Sequence, residues 1–224
     1  MPGPIQWLSK KLHSVKGVYR TCRANHTSAF PAMVSYSWRK WQGVNVLSHP
    51  KTRIKGLRNI STDGGVLNLL LSCGAIDGTE PTSLDVQGKM QINGDVAIGR
   101  GCRVDIGPDA TVDIGDGTYI NPRSQFVIKH GLRIGQHCAI SWECQFLDED
   151  FHTLSYKGQR PSGPPEIVVG DRVWIGNRVS VYKGVVIPNG CVVASNSVVK
   201  HAFTEENVLL AGNPAQIVRR NVKW

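Results

Sequence analysis

The amino-acid sequence predicts an all-β chain wound as a parallel β-helix, and three observations carry that prediction. Aliphatic residues recur every six positions, charged residues are sparse at 19%, and 24 Gly with 12 Pro supply many places for short strands to end. The clearest run is Val169, Ile175, Val181, Ile187, Val193 and Val199. Four positions after the first five of these stand Val173, Val179, Val185, Cys191 and Ser197, all small or β-branched. Gly170, Gly176 and Ala194 directly follow three of the aliphatics. The pattern recurs upstream at Val86, Ile92, Ile98 and Val104, at Ile114, Ile120 and Phe126, and at Ile128, Ile134, Ile140 and Phe146. The frame slips by two residues at Val104/Ile106, Val112/Ile114 and Phe126/Ile128.

A period of six suits neither an amphipathic helix nor an alternating hairpin. It suits a short strand and a sharp corner, three of each per coil, so that every sixth side chain points inward. Successive coils then stack at a strand spacing of about 4.8 Å and satisfy one another's backbone groups. A small residue after the aliphatic suits the corner, where a larger side chain would crowd the next coil.

The elements follow in order. Residues 3–20 place Ile5, Leu8, Leu12, Val15 and Tyr19 at helical spacing among Lys10, Lys11 and Lys16, a short basic amphipathic helix. Such a helix packs on its own domain or lies on a membrane surface, and the first is favoured. Residues 25–83 hold Trp38, Trp41 and irregular apolar patches such as Val66 to Leu71, the composition of imperfect early coils or of a cap on the solenoid's open end. The chain thus divides into an N-terminal helix and cap over 1–83, a β-helix over 84–200, and a C-terminal segment over 201–224. Residues 145–166 break the repeat with polar residues and Pro161, Pro164 and Pro165, which predicts a loop ejected from the coil. Loops of this length on a rigid scaffold commonly carry function.

Charge and cysteine content narrow the function. The net charge is +9, yet residues 1–62 contain 11 Lys/Arg and no Asp or Glu, so the basicity belongs to the N-terminal region. An anionic membrane surface or acidic polysaccharide suits this region, an Arg-rich organellar transit peptide is a minor reading, and no nucleic-acid-binding motif accompanies the charge. No apolar run reaches membrane-span length and the first 20 residues lack a continuous apolar stretch, which predicts a cytoplasmic protein, peripheral at most. The six cysteines form no CxxC pair and are expected as reduced thiols. Cys102, Cys138, Cys144 and Cys191 fall at the small-or-branched corner position, which predicts packing, not catalysis.

Within the ejected loop, His152 ends the sequence DEDFH, behind Asp148, Glu149 and Asp150. A carboxylate bonded to one ring nitrogen would fix the tautomer and stabilise the imidazolium formed when the other nitrogen takes a proton. His152 is therefore the candidate general base, with Asp150 favoured over Asp148 as its orienting partner. His13, His26, His49, His130, His137 and His201 lack such a setting and are taken as surface or structural.

Three segments carry a family resemblance: ISWECQFLDEDFH from Ile140, VWIGNRVSVYKGVVIPNGCVVASNSVV from Val173, and AGNPAQIVR from Ala211. They resemble the hexapeptide-repeat acyltransferases, and within these the bacterial O-acetyltransferases of capsule, exopolysaccharide and O-antigen biosynthesis. The resemblance spans about residues 84–224. It implies a left-handed coil, a homotrimer with its active site between subunits, acetyl-CoA as donor, no metal, and direct transfer of the acetyl group to a carbohydrate acceptor. It also points to His152, since the family's essential histidine follows such an acidic cluster. Asn121 matches an acceptor-binding asparagine, though a corner before Pro122 explains it nearly as well. Trp142 and Glu143, just before the loop, could face the sugar, Trp142 being an equally good packing residue. Trp174, Gly176, Asn177 and Ser195 match the lining of the pantetheine arm, and Arg219, with Arg220 beside it, matches a phosphate-binding position. Lys200 is displaced by one from the family's lysine, and an ordinary surface lysine explains it as well.

Two other classes stay in view. A non-catalytic β-solenoid scaffold would not need the acidic-histidine loop, Trp174 or the GNPA tail. A zinc-dependent lyase of the carbonic-anhydrase type needs three convergent histidines, and His130, His137 and His152 lack the closely spaced pair.

Overall fold

A computed structural model describes residues 15–25, 27–72, 80–152 and 165–224. The six-residue period becomes a triangular prism of three parallel sheets, with nine, seven and six strands among the described residues. Val169, Ile175, Val181, Ile187, Val193 and Val199 fall in turn on the third, first and second faces, twice over, and all six are buried. The inward column of the first sheet stacks Ile98, Ile120, Ile140, Ile175, Val193 and Leu210 in register. That of the second stacks Leu84, Val104, Phe126, Phe146, Val181 and Val199. The two phenylalanines lie on adjacent rungs and their rings stack 4.7 Å apart, filling the axis where other rungs hold smaller aliphatics. The two-residue frame slips lengthen individual strands: Thr111–Ile114 buries both Val112 and Ile114, and Gly131–Ile134 both Leu132 and Ile134.

Corner residues bind the coils together. Thr118 donates to Gly135 O (2.7 Å) and Ser124 to Ser141 O (3.2 Å) in the next coil. Cysteines do the same: Cys102 to Asn121 O (3.3 Å), Cys138 to Gly170 O (3.0 Å) and Cys144 to Gly176 O (3.1 Å). Burial pushes the Cys102 thiol up to about 12 and those of Cys138 and Cys144 to about 11, so they stay protonated and inert at neutral pH. Their packing role is as the sequence predicts.

Parallel stacking already begins at Val46–Ser48, in register with Leu67, Asn68 and Leu69, but the next pairing, of Leu67–Leu71 with Val96–Gly99, shifts register between Asn68 and Leu71, so the early coils are present and imperfect. Helix α1 (Val15–Ala24) and helix α2 (Ala29–Trp41) precede them. The part of the basic helix over residues 3–14 lies outside the described residues; Val18 and Cys22 of α1 are buried on the protein's own core. Both helices pack on the outer side of the first sheet, against Leu47, Val66 and Leu70, through Val18, Cys22, Ala32 and Tyr36. Arg39 of α2 reaches over the edge strand to Val46 O (3.4 Å) and Ser48 Oγ (2.6 Å), covering part of an otherwise open edge.

Two boundaries differ from the sequence reading. Gln145–Leu147 remains a strand of the second sheet, so the chain leaves the coil only after Leu147 and returns at Ile167–Val169. Residues 153–164 of that excursion lie outside the described residues. The C-terminal segment also rejoins the stack: Leu209–Gly212 pairs parallel with Val192–Val193, and Ala215–Arg219 folds back antiparallel upon it. The hairpin closes the sheet where a free edge would otherwise stand. No helix among the described residues is long and apolar enough to cross a membrane.

Candidate active site

The sequence-predicted residues gather along two edges of the prism. The edge between the first and second sheets carries Asn121, Trp142, Glu143, Gly176, Asn177 and Ser195 on successive coils. The edge between the second and third sheets carries Asp148, Asp150, His152 and Lys200.

At the second of these edges the loop root is built on Asp148. Its carboxylate is fully buried and accepts backbone N–H bonds from Lys129 (2.7 Å), His130 (2.8 Å) and Gly131 (2.8 Å) of the preceding coil. Both oxygens are thereby committed, so Asp148 holds the loop and does not orient the His152 ring. Glu149 accepts the amides of Asp150 (2.8 Å) and Phe151 (3.1 Å) and lies 2.8 Å from His130 Nε2. These bonds hold the Glu149 carboxyl below its ordinary range, the His130 contact acting most strongly. Asp150 pairs with Lys183. Neither predicted orienting carboxylate therefore touches the His152 ring within this chain. Phe151 takes a left-handed turn (φ 61°), and His152 stands exposed with no hydrogen-bond partner among the described residues.

The first edge is more occupied than the sequence suggests. Asn121 Nδ2 donates to Ile140 O (3.1 Å), the corner arrangement weighed against sugar binding. Trp142 is half-buried. Glu143 bridges two arginines on neighbouring coils, Arg123 and Arg178 (2.6 Å to Nε). The Arg178 hydrogen bond, reinforced by the charge of Arg123, holds the Glu143 carboxyl below the usual range. Glu143 is thus a fixed anion in a charged ladder and not a proton acceptor. All three residues have left-handed backbones and follow one another up the edge, a ladder that the repeat pattern alone does not announce.

The predicted donor-lining residues share a surface at the C-terminal end. Trp174, Val192, Leu209 and Arg219 are register partners on consecutive strands of the first sheet. Three strand spacings separate the exposed Trp174 from the exposed Arg219, roughly 14 Å. An elongated ligand with a phosphate end suits such a row. Beside it, a Cβ at Gly176 would lie 2.6 Å from Ser195 N, so glycine permits the closest approach of the two coils. Asn177 stacks on the next rung, its carbonyl accepting from Asn196 N (2.9 Å). Lys200 does not join this group; it follows Val198–Val199 on the second sheet, a face away. Arg220 pairs with Glu205 at 2.9 Å.

The structure adds one residue that the sequence reading missed. Trp224 lies 6.1 Å from the Trp174 ring and donates Nε1–H to Arg172 O at 2.9 Å, while Trp174 Nε1 donates to Ser141 Oγ at 3.3 Å. An aromatic in a short polar tail was the only available sign of it. Among the described residues no three His, Cys, Asp or Glu side chains converge as a metal-ligand set.

Residues 166–201 match the model of the bacterial transferase hexapeptide (six repeats). An uncharacterised 24.8 kDa protein of the cps region of Klebsiella pneumoniae is 38% identical over 183 residues, 80% of this chain and 81% of that protein. WbbJ of Escherichia coli K12, named for O-acetyl transfer in lipopolysaccharide biosynthesis, is 27% identical over 62% of this chain and 76% of its own length. Among solved structures, the polysialic acid O-acetyltransferase OatWY is similar with a TM-score of 0.49 and 23% identity, covering 78% of this chain and 87% of that one. With its prism of six-residue turns and a relative matched over four-fifths of both lengths, this chain belongs to the hexapeptide-repeat transferase family, whose fold is the left-handed parallel β-helix.

Proposed function

We propose that this acetyltransferase moves the acetyl group of acetyl-CoA directly to a sugar hydroxyl of a bacterial surface polysaccharide, with His152 as general base. The observation that supports the reading is the exposed imidazole of His152, without a hydrogen-bond partner among the described residues, on a loop whose root is fixed by three amide bonds to Asp148. A base must be free to meet its substrate yet held in place, and this arrangement supplies both conditions.

In the reaction, the acceptor hydroxyl gives its proton to His152 while its oxygen attacks the thioester carbonyl carbon. The carbon–sulfur bond then breaks, and the departing CoA sulfur takes the proton from the imidazolium. Backbone N–H groups of the coil stabilise the oxyanion. The donor lies along the Trp174-to-Arg219 row, its pantetheine arm beside Gly176, Asn177 and Ser195. Asn121 and Trp142 are the acceptor-side candidates on the same edge, Asn121 through an amide already bonded to Ile140 O.

His152 follows a strand of the second sheet and Trp174 lies on the first, which supports a site whose base and donor row come from different chains. A three-fold homotrimer that sets the loop edge of one chain against the donor row of the next completes the site. The reaction takes place in the cytoplasm, where acetyl-CoA is available.

The relationship to WbbJ favours a lipopolysaccharide-type glycan as acceptor. The test is a CoA-release assay with candidate glycans, run beside calorimetric titration of acetyl-CoA. His152→Ala should lower kcat by about 10²–10⁴-fold with donor affinity unchanged. Unchanged kcat in that variant would remove His152 from the chemistry, and absence of acetyl-CoA binding by the wild type would turn attention to the scaffold reading.

A further inference from the structure

Helix α2 is apolar on two opposite sides, and only one is covered. Ala32 and Tyr36 face the first sheet and are buried. On the other side Phe30, Val34, Trp38 and Trp41 are 79%, 55%, 56% and 83% exposed. At 100° per residue these four fall within an arc of roughly 80°. A soluble surface seldom gathers two tryptophans, a phenylalanine and a valine into one stripe without a partner.

We propose that this stripe seats the protein on an anionic phospholipid bilayer, with α2 lying in the plane of the membrane interface. Two observations choose that occupant. First, tryptophan and phenylalanine on a short helix suit the headgroup boundary, and α2, at 13 residues, is too short to span the hydrocarbon core. Second, the two helices themselves carry charge of one sign, with no acidic residue from Val15 to Trp41. Residues 1–62 contain 11 Lys/Arg and no acidic residue, and Lys16, Arg20 and Arg23 of α1 and Lys40 of α2 are all exposed. Such a field draws the stripe to anionic headgroups. It would set two copies of the same face in mutual repulsion, which disfavours self-association through it.

The bilayer contact is therefore made by α2 and not by the buried side of α1. The inference does not depend on the acyl-transfer reading, because lipid binding is measured without acceptor or donor.

The experiment is co-sedimentation of the full chain with sucrose-loaded vesicles. One set contains equal parts phosphatidylglycerol and phosphatidylcholine, the other phosphatidylcholine alone. The wild type should sediment with the anionic vesicles, release as salt is raised, and leave the neutral ones in the supernatant. Phe30→Ser/Trp41→Ser should lose about tenfold or more in partitioning while its melting temperature and sedimentation coefficient match the wild type. Equal binding by the double variant would overturn the proposal, as would failure of the wild type to bind anionic vesicles. A double variant that dissociates into smaller oligomers, with no vesicle binding by the wild type, would assign the stripe to contact between copies instead.

Discussion

Asp148 shows how one buried side chain can hold the root of the loop proposed to carry the base, with its own carboxylate fully occupied by backbone amides. It takes three backbone amides of the preceding coil into one carboxylate, and hydrogen bonds to a charged acceptor are among the stronger contributions available to a fold. Asp148→Asn keeps the shape but turns an NH₂ group toward amide donors. It should cost about 2–4 kcal/mol in urea unfolding, with kcat falling because His152 is no longer held at the loop root. Asp150 offers the contrast, since its pairing with Lys183 is solvent-exposed on both sides. Asp150→Asn should shift stability by less than about 1 kcal/mol. Equal stabilities for the two variants would show that the amide cage is not what fixes the loop.

At the scale of the coil, the closest approaches are set by glycine. A Cβ on Gly176 would meet Ser195 N at 2.6 Å and Val193 O at 2.9 Å, backbone atoms that can yield only if two coils separate. Gly176→Ala should therefore destabilise by about 1–3 kcal/mol and raise the KM for acetyl-CoA. In Gly131→Ala the new carbon would meet the flexible Glu166 side chain at 3.1 Å, and the cost should be smaller. Thermal denaturation and donor titrations of the two variants check the ordering. The same regularity explains which elements were legible in the sequence. Inward aliphatics from Val86 to Val199 share one direction every sixth residue, so their period survives in the sequence, and Phe146, six after Ile140, already belonged to it. Helix α2 was not legible because apolar residues on both its sides blur any helical period. The return of Leu209–Gly212 to the stack was hidden by the broken spacing after Val199. Along the site, motif residues pointed to the candidate donor row and the candidate base, whose roles belong to the proposal. The partners of Asp148 and Glu143 were out of reach, since they come from neighbouring coils whose alignment depends on the length of each turn.

The whole molecule divides the proposed chemistry between two sides of a rigid prism, with His152 beyond the second sheet and the Trp174–Arg219 row on the first. A coil with one continuous core from Val46 to Leu210 does not bend to unite them, and in the proposed trimer assembly does so. This makes the division testable by mixing subunits. His152→Ala chains keep the donor row, and Trp174→Ala chains keep the base; each homotrimer should be inactive or nearly so. When the two are co-refolded in equal amounts, a site is complete wherever a Trp174→Ala chain offers its histidine to the donor row of a His152→Ala neighbour. In a closed ring with head-to-tail contacts, random assortment completes about a quarter of the sites. CoA release should therefore recover to about a quarter of the wild-type rate, from two preparations that show almost none alone. A mixture that remains inactive, with exchange of subunits confirmed by mass spectrometry, would place base and donor in the same chain and require the loop to fold back across its own prism.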